Sequence, residues 1–401
     1  MHTRIRPLLT VLLALALTGS AAAEEPSLST RLDRVIDQAL ADQRIVGTVV
    51  LVAQDGKVIY HRAAGYADRE AKRPMREDAL FRLASMTKTI VSATALSLVD
   101  QGQLTLDEPI TRWLPTFRPK LTDGREPPIT VRQLLTHTAG LAYGLGEPET
   151  DPYLQAHVSN GLDQPGLDLD ENLRRIASAP LLFEPGTQWN YSVATDVLGA
   201  VLIRAGGAPL PTLVERLITH PLGLTDTAFT VKAPARLAAV YTGERPSPAR
   251  VDGYRHVPTE TMNLRVDPRR AFNPRSFPSG GAGMIGTAKD YLTFLEAVRT
   301  GTLPGLKKTT QAQMTSHQLG ALQQAAGPGW GFAFGAAVLV DPAQAHSPQS
   351  PGTYRWGGVY GHSWFVDPER RLTVVALSNT FPEGMSGAFP TALRDALYAP
   401  R

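Results

Sequence analysis

Between residues 29 and 43 the apolar positions Leu32, Val35, Ile36, Ala39 and Leu40 recur at three- and four-residue spacing, which places them on one side of a helix. Two runs rich in valine and isoleucine follow, 48–53 and 57–64. Between them lies Asp55-Gly56, a dipeptide that tolerates the positive φ values of a tight hairpin turn. The chain therefore opens as a helix and a β-hairpin. At the far end, 331–340, 353–360, 363–367 and 372–378 read as strands, with Pro368-Glu369-Arg370-Arg371 as a turn and 391–398 as a last helix.

The pattern between these ends is helical: 87–101, 131–136, 171–177, 195–205, 213–219 and 287–300, joined by Gly- and Pro-rich connections. The stretches 241–258 and 341–353 read as exposed loops. The expected architecture is α/β plus all-α, an antiparallel sheet flanked by N- and C-terminal helices. Residues 24–84 and 327–401 would form a split α/β domain around a large inserted helical domain, 85–326. A cleft where the two meet is a favoured place for a ligand.

The first residues change the count. Arg4 and Arg6 precede an apolar run from Pro7 to Leu17, and Ala21-Ala22-Ala23 supplies the small residues of a cleavage site, so residues 1–23 read as a secretory signal peptide. The run is too short to span a bilayer, and no stable membrane anchor is expected once it is removed. The expected location is secreted, periplasmic. The net charge of +3 on 401 residues falls to +1 without this leader, and no cluster of Lys and Arg remains to track a phosphate backbone, which excludes nucleic-acid binding. With 43% hydrophobic and 19% charged residues the chain is globular. It has no cysteine, which excludes thiol nucleophiles, disulfides and thiolate metal sites.

Several motifs are absent: a P-loop, a His-Glu-x-x-His helix and a Gly-x-Ser-x-Gly elbow. Gly281-Ala282-Gly283-Met284-Ile285-Gly286 matches a dinucleotide pattern, but no strand-like segment precedes it. No cofactor or metal is expected. Ser85-Met86-Thr87-Lys88 is different, because the helix that follows is apolar around most of its circumference and so belongs in the interior. Three-residue spacing sets Ser85 and Lys88 on one face, where a desolvated Lys88 could take the Ser85 proton. Alternatively Ser85 caps the helix and Lys88 is a solvated first-turn residue. Tyr191-Ser192-Val193 lies on a loop before a helix and offers either a proton shuttle or a core tyrosine. In Trp356-Gly357-Gly358-Val359 the paired glycines signal close approach by a ligand or backbone, or a β-bulge.

Taken together and in this order, the three motifs resemble the serine hydrolases of the penicillin-binding protein and class C β-lactamase superfamily. The segments 134–141, 183–186 and 279–284 also look like signatures of that superfamily. The resemblance implies a β-lactamase-like fold with Ser85 as the acyl-accepting nucleophile and with Lys88 and Tyr191 sharing the acid and base roles. It implies an oxyanion hole from the backbone N–H groups of Ser85 and Val359, with Trp356, Gly357, Gly358 and Tyr143 lining the substrate pocket. It assigns no role to His137 or the 280–284 loop. Trp356 replaces the lysine and Val193 the asparagine that β-lactamases use, which disfavours β-lactams and peptides. The nearest likeness is to the family VIII carboxylesterases, implying hydrolysis of small, short-chain acyl esters with acyl transfer as a neighbouring reaction. A β-lactamase or D-alanyl peptidase, and a non-catalytic binding protein, are the alternatives.

Overall fold

The structure is a computed structural model describing residues 26–399 apart from 148, 245, 259–262, 321 and 323–325. The expected signal peptide, 1–23, lies outside the described residues.

An amphipathic helix, α1 (Leu28–Ala41), is capped by Ser27, whose hydroxyl accepts from the Thr30 N–H. It leads into β1 (Gly47–Gln54) and β2 (Lys57–Asp68). Asp55 and Gly56 turn between them with φ of 53° and 79°, the left-handed values the dipeptide suits. With β3 (Arg73–Pro74) and the C-terminal strands β4 (Trp330–Phe332), β5 (Ala337–Leu339), β6 (Tyr354–Gly358), β7 (His362–Asp367) and β8 (Leu372–Ser378), these form one eight-stranded antiparallel sheet. Its order is β4-β5-β6-β7-β8-β1-β2-β3, so the two ends of the chain meet where β1 pairs with β8.

Both faces of the sheet are covered, which is why β1 reads as a nearly unbroken apolar run. Val50 and Val52 pack with Leu32 and Ile36 of α1 and with Phe389 and Leu393 of α7 (Ala388–Tyr398), the last helix. Val49, Leu51, Val375 and Leu377 face the main core with Phe294 and Leu295 of α6 (Ala288–Thr300) and with α2 (Thr87–Asp100). Every residue of α2 from Thr87 to Leu98 is buried. Helices α3 (Val131–Leu135), α4 (Leu169–Ser178) and α5 (Ala194–Gly206) lie in the region between the two halves of the sheet sequence.

Three expectations need correction. The 331–340 segment is two short strands, because Gly335 takes φ +89° and turns the chain back after Phe332. The 213–219 helix starts earlier, at Leu210, and widens into a π-type turn over Glu215–Thr219. The 85–326 region is not all helical: Val240–Thr242 pairs with Ala249–Val251, and Arg255–Pro258 with Asn263–Val266. These strands of three or four residues are too short to register as periodic patterns in Pro- and Ser-rich sequence. They also depend on remote partners, since Thr380–Phe381 runs parallel to Val240–Thr242, and Ile285–Gly286 pairs with Phe81–Arg82.

Candidate active site

Ser85 sits in a single 3-10 turn, Ala84–Met86, that runs directly into α2. Its hydroxyl does not cap the helix, so the capping alternative fails. Ala84, fully buried, has φ +46°, a left-handed value that costs an L-residue roughly 1–2 kcal/mol and is held by the surrounding packing. One turn later, Lys88 is 1% exposed, which overturns the solvated alternative.

An ammonium group carries three donors, and each finds an acceptor: Ser85 Oγ at 3.2 Å, Tyr143 Oη at 2.9 Å and the Gly281 carbonyl at 2.8 Å. The Tyr191 ring lies 4.8 Å from Lys88 Nζ, adding a cation–π contact. Tyr191 Oη donates to Ser85 Oγ at 2.7 Å. The nucleophile hydroxyl therefore lies between an amine and a phenol. Tyr143, read from sequence as a pocket residue, does line the cavity, but it also touches the lysine. Burial, and after it the neighbouring Tyr191 and Asp196, push its phenol well above its usual range, so it stays protonated.

The loop carrying Tyr191 is held by His137. Its Nδ1 accepts from the Ser192 N–H at 3.3 Å, its carbonyl accepts from the Asn190 N–H at 2.9 Å, and its ring packs 4.8 Å from that of Tyr191. Burial, and then the Lys88 charge, hold the His137 imidazole well below its ordinary pKa, in the neutral state that can accept. Asp196, in the first turn of α5, accepts from Ser279 Oγ at 2.5 Å and from the N–H of Gly281 at 3.2 Å, anchoring the residue whose carbonyl holds Lys88. Burial pushes its carboxyl up, and its Oδ2 meets no partner among the described residues.

Across the cleft, β6 brings Trp356, Gly357 and Gly358 to the nucleophile. A Cβ on Gly358 would stand 2.3 Å from the Leu83 carbonyl oxygen, so this glycine allows the strand to lie against the Ser85 segment, while a Cβ on Gly357 would stand 2.4 Å from the His362 carbonyl oxygen of the neighbouring β7. The Val359 N–H, just beyond, meets no backbone carbonyl among the described residues. The Trp356 ring packs against Tyr191 at 5.2 Å and Phe332 at 5.3 Å. Ser85, Tyr143, Tyr191, Trp356, Gly357 and Val359 all line one cavity of about 510 Å³; Lys88 lies behind its wall. Val193 is fully buried, while Asn160, which does line the cavity, donates from Nδ2 to the Arg265 carbonyl and accepts from the Leu162 N–H.

A family model described as Beta-lactamase matches residues 32–398. The chain belongs to the beta-lactamase family. Within it, the chain is 52% identical over 377 residues to Esterase EstB of Burkholderia gladioli, covering 93% of this chain and 96% of that protein. It is 32% identical over 364 residues to Acyltransferase calJ of Penicillium decumbens, covering 82% of each. Among solved structures, EstCE1, a hydrolase with promiscuous acyltransferase activity, superposes with a TM-score of 0.88 at 44% identity, covering 93% of this chain and 98% of that one. Sequence reasoning found the Ser85, Lys88, Tyr191 and Trp356 segments of this beta-lactamase-family site. It gave no function to His137 or Gly281 and passed over Asp196. The available signals were the 134–141 and 279–284 segments and an acidic residue five positions after Tyr191.

Proposed function

We propose that this protein is a serine carboxylesterase that cleaves short-chain acyl esters through an acyl-enzyme on Ser85 and passes the acyl group to water or to an alcohol. The observation that carries this reading is the Ser85 hydroxyl, held between Tyr191 and Lys88 at the mouth of a cavity walled by Trp356. The Tyr191–Lys88 pair enters the step with one proton given up to solvent, and Ser85 Oγ attacks the ester carbonyl while its own proton fills that vacancy. The Ser85 and Val359 N–H groups face the developing oxyanion. Collapse breaks the C–O bond to the alcohol, which leaves with a proton from Tyr191. Water then attacks the acyl carbon by the reverse proton path and releases the acid; an alcohol in its place yields a new ester. The names of EstB, an esterase, and EstCE1, a hydrolase with acyltransferase activity, support both branches.

The same triad would serve a β-lactamase or a D-alanyl peptidase. Trp356 at the lysine position removes a partner for a substrate carboxylate there, and the buried, apolar Val193 offers no hydrogen bond to a substrate amide. Rates on a nitrophenyl butyrate and a chromogenic cephalosporin separate the readings. Faster ester cleavage is expected, and faster cephalosporin turnover would replace the proposal. Secretion to the periplasm through residues 1–23 is part of the same proposal, supported by the apolar run after Arg4 and Arg6. Mature protein beginning at Glu24 in a periplasmic fraction is the expected result.

A further inference from the structure

The cavity that opens at Ser85 does not end at Trp356. It passes Gly357 and the Met385 side chain beside it, and continues between α7 and the face of the sheet that α7 covers. Strand register sets its floor. Arg355 stands opposite Phe365, and Phe365 opposite Val374, so the guanidinium shares a row with two apolar side chains that also line the cavity. From Val359 back to Arg355 is four residues, about 13 Å along an extended strand.

Among the described residues no acidic side chain lines this cavity, and the only cations that do, Arg355 and Arg394, belong to this second arm. The Arg355 guanidinium stacks 3.7 Å from the centroid of the Trp330 ring and has no ion pair with any described residue. Burial, and after it the nearby Arg394, push it down to about 10. Among the described residues Arg394 has one acidic partner, Asp395, its neighbour in sequence, which is 56% exposed. Gln349 is 3% exposed; its Oε1 accepts from Ser347 Oγ at 3.1 Å, while its Nε2 meets no acceptor among the described residues. An apolar passage that ends in a guanidinium group with no acidic partner among the described residues, a second whose one acidic partner is exposed, and a free amide donor is complementary to an anion carried on an apolar chain.

We propose that this arm binds a carboxylate at the far end of the ester substrate, through Arg355, Arg394 and Gln349 Nε2. The substrates of the Ser85 site are then esters bearing a distal acid. This inference rests on the esterase reading of Ser85. Either half of the ester could carry the acid: the acyl half in a half-ester of a dicarboxylic acid, or the alcohol half in an ester of an ω-hydroxy acid.

The test compares each acid-bearing ester with its uncharged counterpart of equal chain length. In wild type, kcat/KM is expected to favour one of the two acid-bearing esters by about tenfold or more, through KM, with the advantage shrinking as salt is added. Which ester gains identifies the half that enters the arm. Arg355→Met and Arg394→Gln should each cut the ratio of charged to uncharged ester about tenfold, and Arg355→Lys should restore part of it. Arg394 is 20% exposed, so its variant carries the test where loss of stacking on Trp330 unfolds Arg355→Met. No advantage for either acid-bearing ester, or an advantage that both Arg355→Met and Arg394→Gln retain, overturns the proposal. Failure of the uncharged ester to react at all would instead count against the esterase reading. Calorimetric titration with suberate then decides the arm alone: binding to wild type that weakens in Arg394→Gln supports it, and no binding removes it.

Discussion

Tyr191 Oη lies 2.7 Å from Ser85 Oγ although 106 residues separate them, and Lys88 Nζ approaches the same oxygen at 3.2 Å. The amine has already committed its other two protons to Tyr143 and Gly281, so Tyr191 is the group free to move a proton between Ser85 and a leaving alcohol. Tyr191→Phe should therefore lower kcat about 10²–10⁴-fold while KM changes little, because the ring that packs against Trp356 and His137 stays. Steady-state kinetics on a nitrophenyl ester check this. Wild-type kcat would remove Tyr191 from the proton path.

Ser85→Ala should abolish ester turnover and labelling by a fluorophosphonate probe while leaving the protein folded. The hydroxyl caps no helix, so its loss removes one of three Lys88 acceptors and the acceptor of Tyr191 Oη, about 1–3 kcal/mol. Circular dichroism and urea unfolding measure the second half of that statement. A labelled Ser85→Ala protein would place the nucleophile elsewhere.

Gly358 is where the strand and the nucleophile segment touch. A Cβ there would lie 2.3 Å from a backbone oxygen of Leu83, which cannot swing aside as a side chain can. Gly358→Ala must push β6 away from Ser85, with a stability cost of about 1–3 kcal/mol and a loss of at least about tenfold in kcat. Gly253→Ala is the control, because its Cβ would meet only the Arg269 side chain at 3.4 Å. Equal effects in the two variants would show that Gly358 has no special bearing on the site.

What could be read beforehand follows from the range of each signal. The helix over Thr87–Asp100 and the hairpin at Asp55-Gly56 are local, and their periodicity and turn chemistry suffice. The apolar circumference of that helix pointed to burial, yet four residues of sequence could not decide whether Lys88 was buried. That follows from Tyr143 and Gly281, which arrive from loops 55 and 193 residues away. Gly281 contributes a carbonyl, which has no side-chain signature. Asp196 anchors the N–H of the same residue and makes no hydrogen bond to Ser85. The β4–β5 reversal was missed because Gly335 sits inside an otherwise strand-like run and only its positive φ marks the turn.

Two buried histidines predict how the fold responds to acid. His362 donates from Nε2 to the Arg82 carbonyl at 2.9 Å, its Nδ1 has no partner among the described residues, and burial pushes its pKa down to about 4. His137 is lowered in the same direction. Each stays neutral in the fold while its unfolded counterpart takes up a proton near pH 6.5. The unfolded state thus binds more protons between pH 6.5 and 4. Stability is full above 6.5 and is lost as the pH falls, for His362 by about 3 kcal/mol at pH 4. Asp196 and Asp290, whose pKa values burial raises, work in the opposite sense, so the His362 share must be read as a difference. His362→Gln keeps an amide donor for Arg82 and cannot titrate. Urea unfolding from pH 8 to 4.5 should give this variant a flatter pH dependence than wild type, by about 1 kcal/mol per pH unit below 6.5. Parallel curves would mean that His362 is protonated within the folded protein.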